Sequence, residues 1–208
     1  MLLPPRYVLS NPFPRALASA NGIGNFLLGG YEAVLLVFLV SELGLSGGLA
    51  GALFGLGAIG GLVGSLLAAR LARRIGDAVT VWTAPLVTVL GGLLTTLAYP
   101  GPRIAWYVAG SLLLHGSLAV FNVCVRSALQ IGTPPELLGR ASGTIRLFSR
   151  GTLPLGALFA GALASATSAR TTTVVLMTLL LLTPAALLLS PVRRVRDIAD
   201  LTPVDEPS

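Results

Sequence analysis

Asn21, Asn25 and Glu32 stand at i, i+4 and i+11 in an otherwise apolar stretch, and Ser111, His115 and Asn122 repeat that spacing further along the chain. At 100° per residue, each trio falls within about 40° on one face of a helix. Arg126 continues the second face. A carboxylate and an imidazole so placed are candidate proton-handling groups, and the amides and hydroxyl beside them can hold a polar solute. A plainer reading stands next to each. Glu32 and His115 can simply bond to a neighbouring helix, and Asn21, Asn25, Ser111 and Asn122 can serve as interhelical glue. Tyr31 and Trp106 read as packing or interface residues.

Other chemistry is scarce. All fourteen basic residues are arginine, so a P-loop lysine, a Schiff-base lysine and a lysine general base are excluded. A single cysteine, Cys124, and a single histidine build neither a disulfide nor a zinc site. Four of the eight carboxylates (Asp197, Asp200, Asp205 and Glu206) lie in the final tail. The nucleophile motif G-x-S-G of an intramembrane serine protease is missing, since "GRASG" has the wrong spacing. An enzyme is therefore not expected, and no cofactor or metal is expected either.

The elements that hold these residues are membrane spans. The chain is 208 residues long, 54% hydrophobic and 11% charged, with a mean hydropathy of +0.85, whereas soluble domains carry about 25% charged residues. Apolar runs of spanning length mark six helices, at about Ala16–Val40, Gly48–Ala69, Val79–Ala98, Ile104–Val125, Thr152–Ala166 and Thr171–Leu189. This divides the chain into a cytoplasmic segment 1–15, a six-helix domain 16–189 and a cytoplasmic tail 190–208. The start of the chain is not read as a secretory signal, because its prolines interrupt any short apolar core.

Arginine placement sets the orientation. Twelve of the fourteen arginines flank the same side of the six spans, and only Arg103 and Arg170 fall on the other. That asymmetry predicts both termini in the cytoplasm. These arginines border spans rather than gather on a soluble face, so the +6 net charge does not point to nucleic acid. The segment 133–151 is then cytoplasmic. Thr133, Pro134 and Glu136 predict a capped start to a helix running from Pro134 to Ala166, about 50 Å long, with Pro154 as a kink point. The fifth span is the membrane half of that helix.

The spans differ in kind. Gly51, Gly55, Gly57, Gly60, Gly61 and Gly64 give span two small-xxx-small spacing, and Gly151, Gly156, Ala157 and Gly161 repeat it more weakly in span five. Such stripes let helix backbones approach closely. Span six and most of span three are rich in Leu and Val, which suits lipid contact. Glu32 and His115 fall near mid-membrane depth, where an ionisable side chain normally faces a bundle interior or a wet cavity.

Polar spans one and four, small-residue spans two and five, and aliphatic spans three and six repeat with a period of three. This pattern resembles one half of a major facilitator superfamily transporter, in which two inverted three-helix repeats form a six-helix bundle. The loop "SLLAARLARRIG" is similar to that family's motif G-x-x-x-D-R-x-G-R-R, with Arg70, Arg73 and Arg74 at its basic positions. Ser65, Ala69 and Ala72 replace its first glycine, its aspartate and its second glycine, which removes the carboxylate of the motif's ion pair. Residues 122–164, with the P-x-x-L-G-R ending at Arg140 and the P-L-G-A at Pro154–Ala157, resemble helices ten and eleven of the drug, macrolide and siderophore exporter-like branch.

The resemblance implies an all-α membrane protein exporting a small amphipathic molecule in exchange for protons by alternating access, from a plasma membrane, and arginine-only usage suggests a bacterial one. It covers the C-terminal six-helix half alone, while the family's substrate site lies between two halves. A second six-helix bundle is therefore an implied partner, as a second copy or a separate N-terminal half, beside the lipid bilayer, the small-molecule substrate and protons. A truncated or non-transporting accessory chain is the alternative. An ABC transmembrane subunit does not fit, since nothing forms its coupling helices.

Overall fold

A computed structural model describes residues 12–131 and 135–188, with side chains described for 19–127 and 151–186. Seven α-helices follow one another: α1 (Pro12–Val37), α2 (Gly47–Ile75), α3 (Asp77–Thr95), α4 (Ile104–Ile131), α5 (Pro135–Ala166), α6 (Ala169–Leu180) and α7 (Leu182–Leu188). No strand occurs among the described residues. Among the described residues five segments are long and apolar enough to cross a membrane: Ser19–Glu42, Gly47–Ile75, Asp77–Thr95, Gly101–Ser127 and Ala169–Ala186. The described apolar part of α5 is the shorter Gly151–Ala166. The protein is an integral membrane protein.

Local chemistry sets the ends of these helices. The Ser46 and Ser168 hydroxyls accept the backbone N–H groups of Leu49 and Thr171, capping α2 and α6. Gly76, at φ 93°, ends α2 and starts α3 at once, a conformation in which a side chain would be strained. Arg73 and Arg74 fill the last turn of α2, where cations favour the carbonyl end of the helix. The end of α1 is a π-helical turn, Phe38–Glu42, closed by a 3.1 Å bond from Leu43 N–H to the Phe38 carbonyl. Helix α5 runs 32 residues, starting one residue later than expected and continuing through Pro154. The Thr133 cap, the side chain of Arg140 and the terminal segments 1–11 and 189–208 lie outside the described residues.

In the bundle α1 lies along α5 and α2 lies along α4. Helix α3 also packs along α4, while α6 and α7 pack against α1 and α3. Small residues make these crossings. A Cβ at Gly60 would fall 2.5 Å from the Leu112 carbonyl oxygen, and one at Gly57 would fall 2.7 Å from the His115 ring. One at Gly64 would run into the Gly116 backbone, and one at Gly156 into the Phe26 carbonyl. Gly29 and Gly30 meet Leu153, Gly156 and Ala160 from the other side of the α1–α5 crossing.

Two expectations need correction. Gly51, Gly55 and Gly161 have nothing within 4 Å of an added Cβ, and Gly61 only the His115 carbonyl oxygen at 3.9 Å. Only the stripe 57, 60, 64 lies on the α4 face, and 51 and 55 fall about 120–160° round the helix from Gly57 at 100° per residue. Span three is also not chiefly lipid-facing. In α3, 56% of the most apolar window is buried, against 28% in α2. The reason is a second glycine crossing. Gly91 and Gly110 let α3 and α4 approach until a Cβ at Gly110 would sit 2.6 Å from the Gly91 carbonyl oxygen. Leu62, Leu66 and Leu158, each more than 60% exposed, present the apolar outer surface instead.

Candidate functional site

An open cleft of about 220 Å³ lies among α1, α3, α4, α5, α6 and α7. Its polar lining is Asn21, Asn25, Glu32, Thr88, Asn122 and Thr183, and its apolar lining includes Leu28, Pro85, Leu118, Phe121, Leu153 and Leu180. All three polar residues of the first trio reach it, as does Asn122 of the second. The Asn25 side-chain amide donates to the Asn21 main-chain carbonyl at 2.7 Å, one helical turn back, with the Asn21 side-chain oxygen 3.5 Å away. Thr88 has spent its hydroxyl on the Ala84 carbonyl and on Ser117 of α4, at 3.0 and 2.8 Å.

Glu32 lies near the middle of the apolar segment Ser19–Glu42. It is exposed on the open side of the cleft and pairs with no cation among the described residues, where the one salt bridge is that of Arg170 with Glu42. Helix breaking does not place it there. The i, i+4, i+11 spacing puts it on the same face as the two asparagines, and Gly30, about 160° round the helix, lies against Gly156 and Ala160 of α5. A carboxylate at that depth costs at least ~2.5 kcal/mol on insertion scales unless it meets water or a partner.

His115 is elsewhere. Its Nδ1 lies 2.9 Å from the Ser111 carbonyl and 3.4 Å from the Ser111 hydroxyl, and its ring rests on Gly57 of α2. Ser111 is fully buried, and His115 is partly buried. His115 occupies the α2–α4 crossing, Ser111 bonds it from one turn back on α4, and neither lines the cleft. Arg126 is exposed at the end of α4 and does not line it either. Arg73 borders a second open cleft, about 410 Å³, with Asp77, Cys124 and Ser127, and Arg70 and Arg74 are exposed beside it. Tyr31 is buried, with its hydroxyl 3.5 Å from that of Thr95, whereas Trp106 is half exposed.

The profile of the Major Facilitator Superfamily matches residues 2–153. The chain belongs to the Major Facilitator Superfamily. No curated protein and no solved structure matches it. This superfamily is one of transporters and not of enzymes. The matched residues carry α1 to α4 and the first part of α5, and with them Asn21, Asn25, Glu32 and Asn122. Among the described residues no group of His, Cys, Asp and Glu is arranged to hold a metal ion.

Two features of this major facilitator bundle were not read from the sequence. Arg170, counted there only as a minority-side arginine, clamps three elements at the end of the bundle opposite Gly76. Its main-chain N–H donates to Glu42 at 2.9 Å, its Nε lies 3.6 Å from the other Glu42 oxygen, and its guanidinium donates to the Thr96 and Ala98 carbonyls. The same guanidinium stacks 4.3 Å from the Tyr99 ring centre and 5.0 Å from that of Phe38. The adjacency of Glu42 to a glycine turn and of Thr96 to a helix end was the available signal. Thr183, hidden in a leucine-rich span, is the second.

Proposed function

We propose that this chain is a six-span transport bundle that moves a small amphipathic molecule outward in exchange for protons by alternating access, with Glu32 as the proton-handling residue. The observation that carries the reading is a carboxylate at mid-span, without a cation partner among the described residues, in a polar cleft built from four or more helices. A carboxylate that can be neutralised either by a proton or by a bound cation makes the two events exclusive, which is the minimum a coupled exchanger needs. Asn21, Asn25 and Asn122 supply the hydrogen bonds that hold the cargo's polar atoms. His115 and Ser111 have the surroundings of a helix-packing pair, and Arg126 and the arginines 70, 73, 74 and 140 are assigned to the cytoplasmic side.

The helix pairing supports two inverted three-helix repeats. Exchanging spans one, two and three for four, five and six turns the α1–α5 pair into the α4–α2 pair, and the α3–α4 pair into the α6–α1 pair. The arginine asymmetry supports cytoplasmic termini, and the motif at Pro135–Arg140 and Pro154–Ala157 supports the drug, macrolide and siderophore exporter-like branch. Glu32 stands on an exposed face, so a second six-helix bundle is proposed to complete the site, as a second copy or as a separate half.

The test is proton-driven transport in proteoliposomes holding the chain with its partner bundle, using a panel of amphipathic cations. The expected result is cargo efflux on imposing an inward proton gradient, and loss of that coupling in Glu32→Gln. Intact coupling in Glu32→Gln would show that Glu32 does not carry the proton. Absence of transport by any reconstituted form would favour an accessory subunit.

A further inference from the structure

Among the described residues Thr183 is one of two with a buried polar side-chain atom that lacks any hydrogen-bond partner, the other being Tyr107. It is 3% exposed and lines the cleft. Other helical threonines here spend the hydroxyl on their own helix: Thr80, Thr88, Thr173 and Thr178 bond the carbonyl four residues back, and Thr95 and Thr96 the one three back. Thr183 does not. It sits just past the break between α6 and α7, and Pro184 after it has no N–H to bond the Leu180 carbonyl. The Thr183 hydroxyl bonds neither its own helix nor a neighbour, and a buried unmade hydrogen bond costs about 1–3 kcal/mol.

The neighbour in front of that hydroxyl is a glycine. Gly24 of α1 faces Thr183, and a Cβ there would lie 3.8 Å from its hydroxyl oxygen. Asn21 and Asn25 flank that glycine in the cleft, and no charged residue lines this end. Eight residues separate Gly24 from Glu32, an axial distance of about 12 Å at 1.5 Å per residue. The cleft thus has a neutral hydrogen-bonding end and an acidic end.

Resting on the transport reading of this cleft, we infer that Thr183 is a specificity-determining residue whose hydroxyl takes a neutral polar group of the cargo, a hydroxyl, ether or amide carried about 12 Å from its cationic centre. Thr183 both donates and accepts, so it serves any of these, and Asn21 and Asn25 give the second and third partners. An aliphatic cation without such a group gains nothing from it.

The experiment measures equilibrium binding to the full chain together with its partner bundle in lipid nanodiscs, with two probes. Puromycin is an amphipathic cation with hydroxyl and amide groups, and tetraphenylphosphonium is a cation with no hydrogen-bonding group. Thr183→Val is expected to raise the puromycin Kd about two- to tenfold, the worth of one net hydrogen bond, and to leave tetraphenylphosphonium unchanged. Thr183→Ser, which keeps the hydroxyl, is expected to bind both as the native chain does. The melting temperature of ligand-free Thr183→Val should equal or exceed the native value, because a buried orphan hydroxyl has been removed. Equal binding of both probes by Thr183→Val, or a lowered melting temperature, would overturn the proposal. If Thr183→Val behaves as expected while Glu32→Gln changes neither probe, the Glu32 assignment falls and Thr183 stands. If the native chain binds neither probe, both fall.

Discussion

Replacing Arg170 by alanine should cost the bundle about 3 kcal/mol. Two bonds from the charged guanidinium to the Thr96 and Ala98 carbonyls are lost. Bonds of this kind are worth roughly 1.5–3 kcal/mol when fully buried, and the side chain is 24% exposed, which reduces each to about 1. The pair with Glu42 adds up to ~1 kcal/mol, and the stacking on Tyr99 and Phe38 together about 1 more. For a chain of this size, 1 kcal/mol moves the melting temperature by roughly 2–4 °C, so a fall of about 6–12 °C is expected in detergent, read by circular dichroism. The ranking is as informative as the size. Arg170→Lys keeps the charge without the planar fork and should lose about half as much. Glu42→Gln keeps an acceptor for the Arg170 main-chain N–H and should lose least. A melting temperature within about one degree of native in Arg170→Ala, or Glu42→Gln as damaging as Arg170→Ala, would refute the clamp.

Gly64→Leu should disrupt the α2–α4 crossing and cost at least about 1–3 kcal/mol by overpacking, whereas Gly55→Leu, on the open face, should leave the melting temperature near native; equal effects would contradict the assignment of faces. His115→Gln retains a polar partner for Ser111 and should preserve proton-driven transport with at most a small loss of stability. Loss of coupling at normal expression and melting temperature would place His115 in the proton path. Gly91→Leu should be more damaging than Gly161→Leu, since Gly91 meets the α4 backbone and Gly161 meets nothing within 4 Å; the reverse order of yields in a folded-fraction assay would count against the α3–α4 crossing.

What the sequence made legible follows from helical periodicity. The i, i+4, i+11 face of α1 does line the cleft, and the long α5 beginning near Pro135 was set by a proline-led start and an excess of length over a span. Periodicity gives a face but not its neighbour. Ser111, His115 and Asn122 share a face of α4, yet His115 meets α2 and Asn122 meets the cleft, because helices that cross at an angle have different neighbours along their length. Glycine spacing was likewise ambiguous in α2, where several small-xxx-small pairs overlap and only one stripe lies against a partner. The Gly91–Gly110 approach went unread because Gly91 and Gly92 of α3 and Gly110 of α4 make no Gly-xxx-Gly pattern within either helix. Arg170 and Thr183 depend on residues far apart in the chain, and single polar residues beside long apolar runs give no spacing to reason from.

The central claim is that Glu32 stands in a water-filled cleft of a transporter and His115 does not. In a Cys124→Ala background, single cysteines at positions 32 and 115 can be challenged with a membrane-impermeant maleimide on the chain in sealed, sided membrane vesicles. Glu32→Cys should label, with a rate that changes when cargo is added, and His115→Cys should stay unreactive in the α2–α4 crossing. An unreactive Glu32→Cys beside a reactive His115→Cys would contradict the account.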